Sequence, residues 1–190
     1  MKVGVLALQG DVREHMRALE GAGAAPAEVR TPEGLAAVDA LVIPGGESTT
    51  IGKLLSRFAL LDPVKQRAEA GMPLFGTCAG MILMATEVVG PDQAPHLIGV
   101  MDIAVRRNAY GRQVESFEAE LEVRGMDEPV KGAFIRAPVV ERTGDGVEVL
   151  AEWEGRPCLV RQGNLLAAAF HPEIAGEEKI HELFVRMAER

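Results

Sequence analysis

The first half of the chain alternates short, wholly apolar runs with stretches whose apolar positions recur every three to four residues. Residues 2–8 form an apolar run, β-branched at Val3 and Val5, which predicts a strand. Asp11 stands where it would cap the next helix, in which Val12, Met16 and Leu19 share a face and which Gly21 and Gly23 end. Residues 27–30 read as a weak strand and residues 39–43 as a strong one. Helices are predicted over 51–58 and 62–70, the second with Pro63 in its first turn. A short apolar strand from Pro73 then runs through a glycine-flanked turn into a helix carrying Ala79, Met81, Ile82, Leu83, Met84 and Ala85. The order is β-α-β-β-α-α-β-α. Fully apolar strands interleaved with helices imply a parallel sheet covered on both faces.

The pattern changes in the second half. Residues 90–95 read as a loop, and 100–105 and 116–123 as strands. The second of these strands alternates apolar with acidic positions, as an antiparallel strand with one wet face does. Residues 133–138 read as short and extended. Residues 148–153 and 157–161 flank Glu154-Gly-Arg, a hairpin signal. A further apolar strand, 164–170, ends on His171-Pro172-Glu173. The closing helix, 177–188, places Ile180, Leu183, Phe184 and Met187 on one face. The predicted fold class is α/β: an open, mostly parallel sheet with helices on both faces and an antiparallel extension.

Composition narrows the function. A length of 190 residues fits one domain over 1–190 with a sizeable core. A net charge of −8 argues against binding nucleic acid through its phosphates. No apolar stretch approaches a membrane span, and the opening residues read as a strand rather than a secretory signal. Two cysteines, Cys78 and Cys158, make no disulfide framework and suggest a reducing cytoplasm. No His/Cys cluster has metal spacing, and no phosphate-cradling glycine loop follows the first strand. Trp153 and Tyr110 read as isolated aromatics that form no stacking platform.

The candidate chemistry lies where three strands end. Gly76-Thr-Cys78-Ala-Gly80 has the spacing of a nucleophile elbow with Cys in place of Ser. At such a turn the nucleophile's backbone is strained, the flanking residues must be small, and the helix N-terminus favours a thiolate. A buried structural cysteine beside two turn glycines fits the pentapeptide equally well. His171 offers a base, and Glu173, two residues on along an extended backbone, would face the same way to orient it. Pro172 keeps His171 extended. Pro44-Gly-Gly would bring backbone N–H groups close to a ligand, so that Gly46 and Ala79 become the candidate oxyanion donors. In an open parallel sheet, loops beyond the strand carboxyl ends meet at one site. Cys158 lies mid-strand without a base and reads as core.

These motifs resemble the class I, triad-type glutamine amidotransferases. Leu8-Gln9-Gly10, Pro44-Gly-Gly-Glu-Ser-Thr-Thr50, Arg107-Asn-Ala-Tyr-Gly-Arg-Gln113 and Phe134-Ile-Arg-Ala-Pro138 resemble, more narrowly, the glutaminase subunits of pyridoxal 5′-phosphate synthases. The resemblance runs end to end. It implies Cys78 as nucleophile, His171 as general base and acid, and Glu173 as the orienting carboxylate. It also implies a glutamine site lined by Gly46, Glu47, Ser48, Arg107, Ile135 and Arg136. Gln9 would lie beside the oxyanion loop on the face toward a TIM-barrel synthase subunit that receives the ammonia. No cofactor is implied for this chain. Taken alone, Arg107 and Arg136 read as surface charges and Ile135 as core; Glu14-His15 matches the family too, but as a helix-face pair it reads as structural. An elbow-cysteine hydrolase or stress protein of the DJ-1/PfpI type, or a non-catalytic flavodoxin-like interaction module, would share the fold class.

Overall fold

The computed structural model describes residues 1–90, 96–107 and 116–189. Its first half runs β1 (Lys2–Leu6), α1 (Val12–Gly21), β2 (Ala25–Val29), α2 (Pro32–Ala36), β3 (Ala40–Ile43), α3 (Ser48–Arg57), α4 (Leu61–Glu69), β4 (Leu74–Thr77) and α5 (Ala79–Met84). Its second half runs β5 (Ala85–Val89), β6 (Met101–Arg106), β7 (Phe117–Leu121), β8 (Val130–Phe134), β9 (Val139–Thr143), β10 (Glu148–Trp153), β11 (Arg156–Gln162), β12 (Leu165–Ala168) and α6 (Lys179–Ala188).

The main sheet has the order β10-β11-β12-β4-β3-β1-β2. From β12 to β2 every pairing is parallel, and β10 and β11 extend it antiparallel. Every residue of β3 and β4 is buried. Successive side chains point to opposite faces, so both faces are covered. The helices form two contact groups: α1 packs on α6, and α3 packs on α4 and α5. Phe75 on β4 marks the α1/α6 face, with ring centroids 6.3 Å from His15 and 5.6 Å from Phe184. Between β10 and β11, Glu154 and Gly155 both take positive φ, the geometry of a two-residue hairpin turn.

Several expectations need adjustment. The short helix α2 stands between β2 and β3; Thr31 caps it by accepting the Gly34 N–H, and Pro32 occupies its first position. The elbow helix ends at Met84. Ala85 instead opens β5, parallel to β6, and β9 closes a separate three-stranded sheet β5-β6-β9. Thr86, Val88 and Val89 are β-branched, and strand pairing outweighs the helical tendency of the preceding run. Beyond β8 the chain is not extended throughout, since Arg136 has φ 46°. Trp153 is not isolated: its ring lies 5.8 Å from Phe117 and 6.2 Å from Phe134. Tyr110 and most of the Arg107–Gln113 motif fall outside the described residues, as do residues 91–95 of the expected loop. The acidic alternation of β7 is realised as read, with Glu118 and Glu120 exposed and Ala119 and Leu121 buried.

Candidate active site

β3, β4 and β12 are adjacent and parallel, so the loops after them open at the same edge of the sheet. The loop after β1 opens there too. This brings together Pro44–Ser48, the cysteine turn, His171–Glu173 and Gln9–Asp11. A cleft of about 360 Å³ lies between them, lined by the expected Cys78, His171, Gln9, Gly46, Glu47, Ser48, Arg107, Ile135 and Arg136. Asp11, Ile82 and Ile174 line it as well.

The turn at Cys78 is strained: this residue has φ 46° and ψ −99°, a region that costs a non-glycine side chain about 1–3 kcal/mol. Burial in the surrounding core holds it there. A Cβ on Gly76 would sit 2.6 Å from the Gly80 carbonyl carbon, and one on Gly80 would sit 2.1 Å from the Ile43 carbonyl oxygen. Both elbow positions therefore need glycine because strand and helix backbones pass too close for a side chain. The Cys78 thiol points toward the Ile135 carbonyl, with Sγ 3.9 Å from that oxygen. Ala79 is buried as the first residue of α5, where its N–H has no acceptor within the helix.

His171 is fixed from two sides. Its backbone exchanges hydrogen bonds with Ala133, which ties it to the end of β8. Its ring Nδ1 lies 2.8 Å from Glu173 Oε1 and 3.4 Å from Asp11 Oδ2. Burial alone would lower the His171 pKa. Asp11, Cys78 and Glu173 outweigh it and push the ring up to about 12, so it holds a proton at neutral pH. Burial raises Glu173 against the pull of His171. Asp11 is a correction to the sequence reading: it stands at the start of α1 but makes no side-chain cap bond, and its carboxylate faces His171 instead. Asp11, His171 and Glu173 offer atoms within 4.8 Å of one another, the one such group of possible metal ligands among the described residues. The carboxylate–imidazole pairing accounts for that proximity.

The Pro44–Ser48 loop is equally constrained. A Cβ on Gly45 would lie 2.2 Å from the His171 ring, and one on Gly46, at φ 148°, would lie 2.6 Å from Gln9 Oε1. Gln9 Oε1 accepts the Glu47 N–H at 2.9 Å. The Gly45 carbonyl accepts the Asp11 N–H at 3.3 Å, so the trans peptide turns the Gly46 N–H to the opposite side. Glu47 caps α3, accepting from the Thr49 and Thr50 N–H groups at 2.9 and 2.7 Å. Burial opposes ionisation of Glu47, but the Thr50 hydroxyl and these N–H groups hold it at about 2. Arg107 reaches Glu47 and the Thr49 hydroxyl, both at 3.3 Å.

Two residues that the motifs did not connect to the site lie beneath it. His15, read as a structural helix-face residue, is wholly buried with Nε2 3.4 Å from Glu173 Oε1 and 3.1 Å from Thr77 Oγ1. His181, also wholly buried, lies with Nε2 2.9 Å from His15 Nδ1. His181 sits on the buried face of α6 beside Ile180 and Phe184, and its polarity was the only local sign of a partner.

The fold is that of the glutamine amidotransferases. A solved structure described as a glutamine amidotransferase superposes with TM-score 0.93 over 99% of both chains at 52% identity. The PurLQS structure from Thermotoga maritima shares the fold alone, with TM-score 0.67 at 20% identity over 98% of this chain and 94% of that one. Residues 5–190 match the model of the SNO glutamine amidotransferase family, and the chain belongs to that family. Among its relatives, pyridoxal 5′-phosphate synthase subunit PdxT of Frankia casuarinae is 62% identical over 97% of this chain and 93% of its own length. The protein of the same name from Mycobacteroides abscessus is 57% identical over 97% and 96%. The chain is thus a glutaminase-type enzyme, which sets aside the DJ-1/PfpI and non-catalytic readings.

Proposed function

We propose that this chain hydrolyses L-glutamine to L-glutamate and ammonia as the glutaminase subunit of a cytoplasmic pyridoxal 5′-phosphate synthase, acting as one domain over residues 1–190. The observation that carries this reading is the cleft in which Cys78 meets the His171–Glu173 pair, its imidazole and carboxylate 2.8 Å apart. The names of the relatives support the assembly. Cys78 attacks the side-chain amide carbon of glutamine as the thiolate, its proton having passed to His171. His171 supplies the proton that departs with ammonia, then takes one from the water that releases glutamate from the γ-glutamyl thioester. Glu173 holds the ring and balances its charge. Glutamine is a zwitterion, and the cleft offers both signs in Glu47 and in Arg107 and Arg136, with Ile135 along the aliphatic part. Gly46, Glu47 and Ser48 form one wall of the glutamine site. The Gly46 and Ala79 N–H groups are the oxyanion donors.

The ammonia passes to a separate TIM-barrel synthase subunit, which docks over the cleft mouth. Exposed Gln9 and Ile174 stand at that mouth. Docking acts through Gln9: its grip on the Glu47 N–H adjoins the Gly45–Gly46 peptide, and that peptide must rotate away from Asp11 to turn its N–H. One missing oxyanion donor costs about 100- to 1000-fold in rate. The chain alone is therefore a slow glutaminase, and its synthase partner speeds it. The test is glutamate release from L-glutamine with and without that partner, for wild type, Gln9→Ala, Cys78→Ala and Glu173→Gln. Cys78→Ala should be inactive, and Glu173→Gln should lose up to about 10⁴-fold while staying folded. Near wild-type turnover in either variant would overturn the triad. Equal wild-type rates with and without the partner would overturn the switch, and undiminished activation in Gln9→Ala would remove Gln9 from it.

A further inference from the structure

Behind the cleft, on the α1/α6 face of the sheet, Glu173 is buried with few partners. Its Oε1 receives the His171 ring N–H, while Oε2 has no hydrogen-bond partner among the described residues. An ionised carboxylate in such a place is costly unless further donors face it. His15 is the next group to Oε1, through Nε2 at 3.4 Å. The direction in which it presents a proton is decided one ring further away.

Burial, then repulsion from His181 and His171, holds His15 well below its ordinary value, and burial pushes His181 down to about 4. Both rings are neutral at pH 7, with one proton each. A single proton bridges His15 Nδ1 and His181 Nε2, which lie 2.9 Å apart, so the two tautomers are coupled. If His181 Nε2–H donates, His15 presents Nε2–H, hydrogen-bonded to Thr77 Oγ1 at 3.1 Å and facing Glu173 Oε1 at the longer distance of 3.4 Å. His181 Nδ1 is then a bare lone pair, and it is indeed an atom with no hydrogen-bond partner among the described residues. If His15 donates instead, its Nε2 lone pair faces the carboxylate, and His181 Nδ1–H must turn to the Glu177 backbone. That backbone draws on His181, yet no bond of normal geometry forms. A buried orphan N–H is rarer than a buried orphan acceptor, and a lone pair against a carboxylate is repulsive.

We propose that His15 is a positioning residue for Glu173: a neutral imidazole, its tautomer set by His181, that donates its Nε2 proton to Glu173 Oε1 and holds the carboxylate against His171. The proposal rests on the reading of His171–Glu173 as the catalytic pair. A neutral donor suits this task, because a cation at His15 would neutralise the charge that Glu173 directs at the His171 ring. The Thr77 hydroxyl, on the residue before Cys78, shares the same proton and ties the network to the end of β4.

The test uses the complex with the synthase partner and follows steady-state glutamine hydrolysis by His15→Phe and His15→Gln. Phe fills the ring's volume without a donor, whereas Gln carries an amide N–H near the place of Nε2. His15→Phe should lower kcat about 10- to 100-fold, the effect of one lost bond to a charged group. KM for glutamine should hardly move, because His15 does not line the cleft. His15→Gln should recover most of kcat. A His15→Phe enzyme with wild-type kcat, or a His15→Gln enzyme as slow as His15→Phe, overturns the proposal. If circular dichroism shows His15→Phe unfolded, nitrogen NMR of the histidine-labelled wild type decides, with the His15 signals identified as those missing from His15→Gln. Protonated Nε2 with bare Nδ1 supports the proposal, and the reverse tautomer or an imidazolium overturns it. Glu173→Gln keeps the two readings apart. If that variant is inactive while His15→Phe is unimpaired, only the role of His15 falls; if Glu173→Gln keeps turnover, the triad itself falls.

Discussion

Two thiols in one chain provide a comparison at the scale of the residue. Cys78 lines the cleft with strained dihedrals, while Cys158 is fully buried in β11. Burial, with a smaller contribution from Glu152, pushes Cys158 up to about 12. Its thiolate is scarce at neutral pH and out of reach. A glutamine-like electrophile should therefore label Cys78 and spare Cys158, which peptide mapping by mass spectrometry reads directly; predominant labelling of Cys158 would contradict the assignment. Cys78, His171 and Glu173 were legible because each sits in a short local pattern whose spacing has a physical use. Asp11 was not. A short polar residue before a helix is locally a cap, and only the meeting of the loops after β1 and β12 gives its carboxylate the His171 ring instead.

At the scale of the element, α3 shows how one side chain serves structure and site together. The apolar pattern starts this helix near Ile51, but it begins at Ser48, because Glu47 bonds the Thr49 and Thr50 N–H groups and extends it by most of a turn. The same carboxylate holds Arg107 at the cleft. Glu47→Ala should cost about 1 kcal/mol of stability, as lost N-caps do, and should raise KM for glutamine more than it lowers kcat. Denaturant titration and steady-state kinetics check the two parts. An unchanged KM would leave Glu47 a helix cap without a substrate role. β5 and β9 escaped the sequence reading for a related reason. Neither alternates cleanly: Thr86 and Glu87 of β5 are both exposed, as are Glu141 and Arg142 of β9, since these strands build a small side sheet rather than the main core.

Across the whole molecule, the buried histidines couple stability to pH. A histidine kept neutral by burial binds its proton more weakly folded than unfolded, so stability is lost as pH falls below the unfolded value. For His181 the window runs from 6.5 down to about 4, a span worth on the order of 3 kcal/mol. His15 adds to it in the same direction. His171 acts in the opposite sense: its raised value gives stability that is complete below 6.5 and is lost as pH rises toward about 12. Between pH 6.5 and 4 His171 is therefore flat, and the slope belongs to the two buried rings and the carboxylates. Stability of His181→Gln should fall less steeply with acid than that of wild type across this window. Denaturant unfolding at several pH values measures it, and parallel slopes would show that His181 is not neutral in the folded chain.

By itself the sequence determined the fold class, the strands that carry the main sheet, the elbow and the His-x-Glu pair. Each is a matter of apolar period, small residues or spacing within a few positions, and such interactions do not depend on the rest of the chain. Gly76 and Gly80 could be read as the glycines of a tight strand-to-helix passage before any contact was known. The order β12-β4-β3-β1, by contrast, is a matter of which buried strands pair, and strands of similar apolar composition do not announce their neighbours. That order alone puts residues 9, 46, 78 and 171 around one cleft. It also sets His15 of α1 against Glu173 and His181 of α6 against His15, where burial makes each remaining polar contact count. A histidine on a helix face has the same local pattern whether it meets solvent, core or a carboxylate, and only the packed molecule decides among them.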